Sequence, residues 1–202
     1  MKKFLLMHLF ILFCFFSVSF GFSQEKEPIV NYQILFSPED HIAEELIALI
    51  KKEQTSIKSA IYCLLHRDIL KALIEAHKRG VKVEIIIDSY SMKSRFASKK
   101  MQEANIPVFV WNPTLPIVKV KNDRKIKKSR SLMHDKFCIF GNNRVWTGSF
   151  NFTFAGSNAN RENVIILENK EIASRYLEEF ERLKKEGCSS INEYLLQKES
   201  VK

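Results

Sequence analysis

Between Asn31 and Gly187, short apolar runs alternate with segments of helical periodicity, and this order narrows the fold more than any other feature. The strand-like runs are Asn31–Phe36, Ile57–Leu65, Val81–Asp88 and Pro107–Trp111, followed by a group of closely spaced runs after residue 133. Ser37-Pro38-Glu39-Asp40 has the form of a helix start: a capping serine, proline at the first helical position and acids in the first turn. Behind it, Ile42, Leu46, Ile47 and Ile50 recur at helical spacing. Arg67–Arg79 predicts a helix closed by Gly80, Ser91–Ala104 a third, and Lys170–Glu186 a long last one ending at Gly187. Strands that alternate with helices in one chain predict a single α/β sandwich, with a mainly parallel or mixed central sheet flanked by helices. Residues 24–187 are expected to form that domain and 188–202 a short C-terminal tail.

The chemistry concentrates in Met133–Asn163. His134 and Lys136 are one residue apart, so on a strand both side chains leave the same face. A turn at Gly141-Asn142-Asn143 precedes a second run, Arg144–Ser149, which leads into Phe150 and Asn151. After a loop of small residues, Glu162 stands just before Val164-Ile165-Ile166-Leu167. An imidazole, an ammonium, a hydroxyl, an amide and a carboxylate are thus placed at strand ends, the parts needed to hold a phosphate and attack it. Trp146, Phe150, Phe152 and Phe154 are expected in the core, with stacking on bases or contact with lipid tails as the alternative. Asp135 should face away from its neighbours His134 and Lys136 and serve the structure.

The segment resembles the phospholipase D superfamily, whose signature is H-x-K-x4-D, then G-S-x-N and a later Glu. His134 and Lys136 match the first motif, Gly148-Ser149-Phe150-Asn151 the second, and Glu162 the glutamate. The resemblance runs from about Ile57 to Gly187. It is nearest to small single-motif members, the bacterial secreted endonucleases and the mitochondrial cardiolipin hydrolase-like nucleases. It implies the phospholipase D-like version of the α/β sandwich and a metal-independent phosphodiesterase with no cofactor. By the same resemblance, His134 of one protomer attacks phosphorus to give a phosphohistidine while His134 of a homodimer partner protonates the leaving oxygen. Lys136 neutralises charge, Glu162 orients the imidazole, and Ser149 and Asn151 donate to phosphate oxygens. One position departs: where the family has Asp, this chain has Gly141. Strand alternation turns position 141 away from the phosphate, so restoring Asp there is expected to be tolerated and to add stability.

Lys2-Lys3, the apolar stretch to Phe22, and Gly21 and Ser23 at the small-residue positions form the layout of a secretory signal peptide, residues 1–23, cut before Gln24. The mature chain would then be secreted or periplasmic; an uncleaved membrane anchor is the alternative. Loss of Lys2 and Lys3 lowers the formal net charge from +9 to +7. The excess is concentrated in Lys119–Arg130, where seven cations, Lys125, Lys127 and Lys128 among them, face a single acid, Asp123. Just upstream of His134, such a run suits an electrostatic guide for a polyanion, gripping backbone phosphates without reading bases; a merely solvated loop is the plain alternative. Cys63 and Cys138 fall inside apolar runs and are expected to be buried thiols, with a bridge between them open in an oxidising compartment; no C-x-x-C spacing suggests a metal.

The expected activity is that of an endonuclease on DNA or RNA, favoured by the basic run; hydrolysis of phosphatidyl lipids or cardiolipin is the alternative, since each substrate is a phosphodiester. A catalytically dead binding protein is a third reading, motivated by Gly141 alone.

Overall fold

A computed structural model describes residues 30–113 and 131–200. The N-terminal segment and the basic run Lys119–Arg130, with Lys125, Lys127 and Lys128, lie outside the described residues. Among those described, eight strands form one mixed sheet in the order β1-β7-β6-β5-β2-β3-β4-β8. They are β1 Asn31–Phe36, β2 Ser56–Ile61, β3 Lys82–Asp88, β4 Val108–Trp111, β5 Lys136–Phe140, β6 Arg144–Gly148, β7 Asn163–Glu168 and β8 Cys188–Ser190. β2–β3 and β3–β4 are parallel, each joined through a helix; every other pairing is antiparallel. On one face lie α1 (Ile42–Lys52), α2 (Arg67–Lys78), α3 (Arg95–Glu103) and α6 (Ile191–Glu199), packed over Ile57, Ile85, Ile87, Cys138, Phe140 and Trp146. On the other, α5 (Lys170–Gly187) covers Ala60, Ile86, Phe137, Ile139 and Val145 with Ala173, Phe180 and Leu183. This is the expected α/β sandwich with a mixed sheet flanked by helices.

β5 carries the consequence of this layering. All five of its residues are buried, as befits a central strand covered on both faces. Phe137 and Ile139 point to α5, and Cys138 and Phe140 to the opposite layer. Antiparallel pairing with β2 sets the start of β5 beside the end of β2, Ile61 opposite Lys136. The starts of β5 and β7 and the ends of β1, β2, β3 and β6 therefore share one edge of the sheet.

Several expectations shift. α1 begins at Ile42, not at Ser37-Pro38, and Ser37 caps nothing. Its buried hydroxyl donates to the Asn160 carbonyl at 2.9 Å and accepts from the Glu162 N–H at 3.0 Å, and its own N–H donates to the Glu162 carbonyl at 3.0 Å. Asp40 instead folds back to accept the Phe36 N–H at 2.8 Å, closing a turn before the helix. β2 stops at Ile61 because Tyr62–Leu65 turns toward the motif loop, where the N–H groups of Leu65 and His66 share the Phe152 carbonyl. The expected helix from Ser91 is a 3-10 turn, Ser91–Lys93, followed by α3 with Ser94 as its cap. Residues after Gly187 are not a loose tail: β8 pairs with β4, and Ile191, Tyr194 and Leu195 of α6 pack on the core.

Gly141 lies at the far end of β5, roughly 20 Å of extended chain from His134. Strand alternation places it away from the site, but the backbone gives no room for a gain from aspartate. Gly141 has φ of 58°, and a Cβ there would lie 3.3 Å from Thr55 Oγ1 and 3.9 Å from both carboxylate oxygens of Glu53. Glu53 accepts the N–H groups of Gln54, Thr55 and Ser56, so its carboxylate fixes the loop before β2, whose Ser56 carbonyl accepts the Gly141 N–H at 2.9 Å. Gly141→Asp would add left-handed strain and a like charge. It should lower stability by about 1–2 kcal/mol, with Gly141→Asn milder; a raised urea midpoint for the aspartate variant would contradict this. Ser37→Ala should strand the Glu162 N–H and Asn160 carbonyl and cost about 1–3 kcal/mol in urea titration. An unchanged midpoint would show that this loop is held elsewhere.

Candidate active site at the sheet edge

Lys136 is the first residue of β5, and its side chain is 8% exposed. Its ammonium donates to the carbonyl of His134 and lies 5.4 Å from the centre of the Tyr62 ring. Burial pushes the Lys136 pKa down; the nearby Asp135 and Glu162 carboxylates and the Cys63 thiol act in the opposite sense. His134 stands just before the strand, exposed, with its ring 4.8 Å from Tyr62. Tyr62 thus touches both motif residues, and it occupies the point where β2 breaks off.

The second motif is shaped by its glycine. A Cβ at Gly148 would lie 2.0 Å from the Asn163 carbonyl, so no other residue lets β6 and β7 approach this closely here. The approach allows the Ser149 N–H to donate to the Asn163 carbonyl at 3.0 Å, while the Ser149 hydroxyl accepts from the Asn163 N–H at 3.1 Å. That hydroxyl spends its proton on Glu162 Oε2 at 2.5 Å, and Glu162 Oε1 accepts from Asn160 Nδ2 at 2.9 Å. Within one chain, then, Ser149 is bonded to Glu162, and Glu162 to Ser149 and Asn160, with no hydrogen bond between Glu162 and the His134 ring. The Asn151 carbonyl side-chain oxygen is buried with no hydrogen-bond partner among the described residues. α4 (Phe154–Asn158) packs tightly on the Asn151 backbone, since a Cβ on Gly156 would meet the Asn151 main-chain carbonyl at 2.8 Å.

Two openings flank this row. One, of about 470 Å³, is lined by His134, Asp135, Lys136, Tyr176 and Glu179 on the α5 side. The other, of about 400 Å³, lies between Ser37, Ser149, Arg161 and Glu162. Asp135 faces α5, as alternation requires, and burial, reinforced by Glu179, pushes its pKa up. Trp146, Phe150 and Phe152 are core residues, whereas Phe154 is 73% exposed. Cys63 and Cys138 are both buried free thiols, and burial drives Cys138 up to about 12. Among the described residues no group of three or more His, Cys, Asp or Glu is arranged to hold a metal, and no helix is long and apolar enough to cross a membrane.

The structure therefore brings His134, Lys136, Ser149, Asn151 and Glu162 to one edge. Three participants had no sequence signal. Ser37 anchors the Glu162 loop, Tyr62 joins the motif residues, and Cys63 lies near the Lys136 ammonium.

Residues 46–184 match the family described as "Cardiolipin synthase, PLD-like domain". The chain is 32% identical over 149 residues to a protein named phospholipase D from Rickettsia typhi, covering 73% of this chain and 65% of that one. It is 28% identical over 162 residues to the mitochondrial cardiolipin hydrolase of Xenopus tropicalis, covering 80% and 70% of the two chains. The crystal structure of Nuc, a phospholipase D family member from Salmonella typhimurium, superposes with a TM-score of 0.67 at 30% identity, over 80% of this chain and 98% of that one. With the two motifs and the glutamate converging on one sheet edge of the same fold, the chain belongs to the phospholipase D superfamily.

Proposed function

We propose that the chain is a metal-independent phosphodiesterase that cleaves DNA or RNA through a phosphohistidine. The observation that carries this reading is the pairing of exposed His134 with the buried ammonium of Lys136, both held by Tyr62. A phosphodiester resists hydrolysis because its charge repels nucleophiles and its leaving alkoxide is poor. Lys136 answers the first difficulty, since a cation already withdrawn from water attracts a phosphate oxygen strongly. His134 answers the second in two capacities. Its ring nitrogen attacks phosphorus, and the P–O bond breaks as the leaving oxygen takes a proton from an opposed imidazole. That second imidazole then accepts a proton from water, whose oxygen displaces His134 and releases the phosphate.

Attack and protonation come from opposite sides of phosphorus in the same step, so one turnover requires two imidazoles. A homodimer with two copies of His134 facing across a two-fold axis supplies them. Glu162, unbonded to its own His134, is then available to orient the imidazole of the other copy. The basic run Lys119–Arg130 favours a nucleic acid, because seven cations close to His134 in sequence neutralise several consecutive phosphates. The N-terminal segment would deliver the protein outside the cytoplasm or anchor it at the membrane.

A lipid substrate is the second reading, favoured by the names of the relatives from Rickettsia typhi and Xenopus tropicalis. One experiment separates the two: purified protein is incubated in EDTA with plasmid, single-stranded RNA and cardiolipin liposomes. Nucleic acid should be cleaved and liposomes left intact, and His134→Ala should lower the rate by roughly 10⁴-fold or more. Activity restored only by added divalent metal, or retained by His134→Ala, would overturn the mechanism. Lipid hydrolysis without nucleic-acid cleavage would overturn the substrate.

A further inference from the structure

A line of rings leads away from His134. The Tyr62 ring lies 4.8 Å from His134 and is stacked on Tyr90, 5.4 Å away with planes 17° apart. Beyond Tyr90 lies the Lys93 ammonium, 4.4 Å from the ring centre. Cations therefore stand at both ends of a nearly parallel pair of tyrosines, Lys136 by Tyr62 and Lys93 by Tyr90. Tyr90 is 41% exposed, and the side chain over its outer face is itself exposed.

The line is fixed to the reaction centre by two fully buried polar side chains. Asp88, at the end of β3, accepts the Tyr90 N–H at 2.7 Å with one oxygen and the Met133 N–H at 3.2 Å with the other. One carboxylate thus sets the position of Tyr90 and of the residue immediately before His134. Ser91 accepts the Leu64 N–H at 3.1 Å and donates to the Tyr62 carbonyl at 3.0 Å, tying the Tyr62 bend to the Tyr90 turn. None of these bonds is needed to close the sheet. Their common effect is to hold two aromatic rings at a set distance and tilt from the attacking imidazole.

We propose that the outer face of Tyr90, backed by Tyr62 and flanked by Lys93, is a stacking subsite for one unpaired nucleobase near the phosphate held at His134 and Lys136. The proposal rests on the nuclease reading and sharpens it to single-stranded nucleic acid. Bases in a duplex have their faces covered by their neighbours, so only an unstacked base can lie on a side-chain ring. A rigid ring pair serves every base, because each has a π-face, and so gives affinity without sequence preference. The flexible Lys93 ammonium moves aside and takes up the phosphate next to the stacked base. An acyl chain has no use for this arrangement: it lacks a π-face, and lying on Tyr90 it would cover the Lys93 ammonium without a counter-charge.

The test is steady-state cleavage of a single-stranded oligonucleotide in EDTA by the wild type, Tyr90→Ala and Tyr90→Phe. Tyr90→Ala should raise KM roughly 5- to 100-fold, the effect of losing one base–aromatic stack. Tyr90→Phe, which keeps the ring, should restore the wild-type KM. An oligonucleotide with a single abasic site, moved along the strand, should reproduce the loss at one position with the wild type and cause no further loss there with Tyr90→Ala. An unchanged KM for Tyr90→Ala in an enzyme that cleaves the oligonucleotide would overturn the subsite alone. Losses from Tyr90→Ala and the abasic site that multiply at every position would do the same. A wild type that leaves the oligonucleotide intact and hydrolyses cardiolipin liposomes would overturn the nuclease reading, and the subsite with it.

Discussion

The ammonium of Lys136, taken out of water at the start of a central strand, is the constraint around which the site is arranged. Removing an ammonium from water is costly unless dipoles, rings or opposite charges replace the lost hydration. Here the His134 carbonyl, the Tyr62 ring and the carboxylates of Asp135 and Glu162 share that task. His134 and Asp135 are its neighbours in the chain, but Tyr62 follows β2 and Glu162 precedes β7, so satisfying one cation draws β2, β5 and the start of β7 to the same point. The burial that depresses the lysine pKa also gives it its value. A cation with few waters to shed is already prepared for an anionic phosphate oxygen.

The other half of the edge is built by close backbone approach. Gly148 admits the Asn163 backbone, Ser149 and Asn163 exchange two hydrogen bonds, and the serine hydroxyl donates to the Glu162 carboxylate. Ser37 grips the same loop from β1. Sheet order explains why a residue near position 37 can support one at 162. β1 and β7 are neighbours, with Phe36 opposite Asn163. The Asp88 carboxylate plays the matching part on the other flank, where it fixes the β3 turn to Met133.

Much of this could be read from the residues, and the divisions follow physical lines. β1, α2 and α5 begin or end where local signals put them: the short strand-like run Asn31–Phe36, the left-handed Gly80, the helix-ending Gly187. The motif residues were legible because their chemistry is unusual at that spacing. Most of the failures share one cause, which is that distant partners outcompete local preference. Ser37 has the form of a helix cap yet bonds across more than a hundred residues to the Glu162 loop. The run to Leu65 has strand propensity throughout, but after Tyr62, whose N–H still donates to the Asp135 carbonyl, the chain bends away toward Phe152. Cys188–Ser190 is polar and short, and only the open edge of β4 makes it a strand. Gly141 misled because alternation gives the face of a side chain but neither the sign of φ nor the presence of Glu53 beside it.

In the proposed mechanism His134 is the reacting centre of a two-step displacement, with the rest of the edge in support. Its most direct test is to mix enzyme with a nucleic-acid substrate in EDTA, quench in base within a single turnover, and map the protein by peptide mass. Base preserves a phosphoramidate, so the peptide that contains His134 should carry the mass of the phosphoryl fragment, in proportion to the burst of first product. A burst with the His134 peptide unmodified, or an adduct on any other residue, would contradict it.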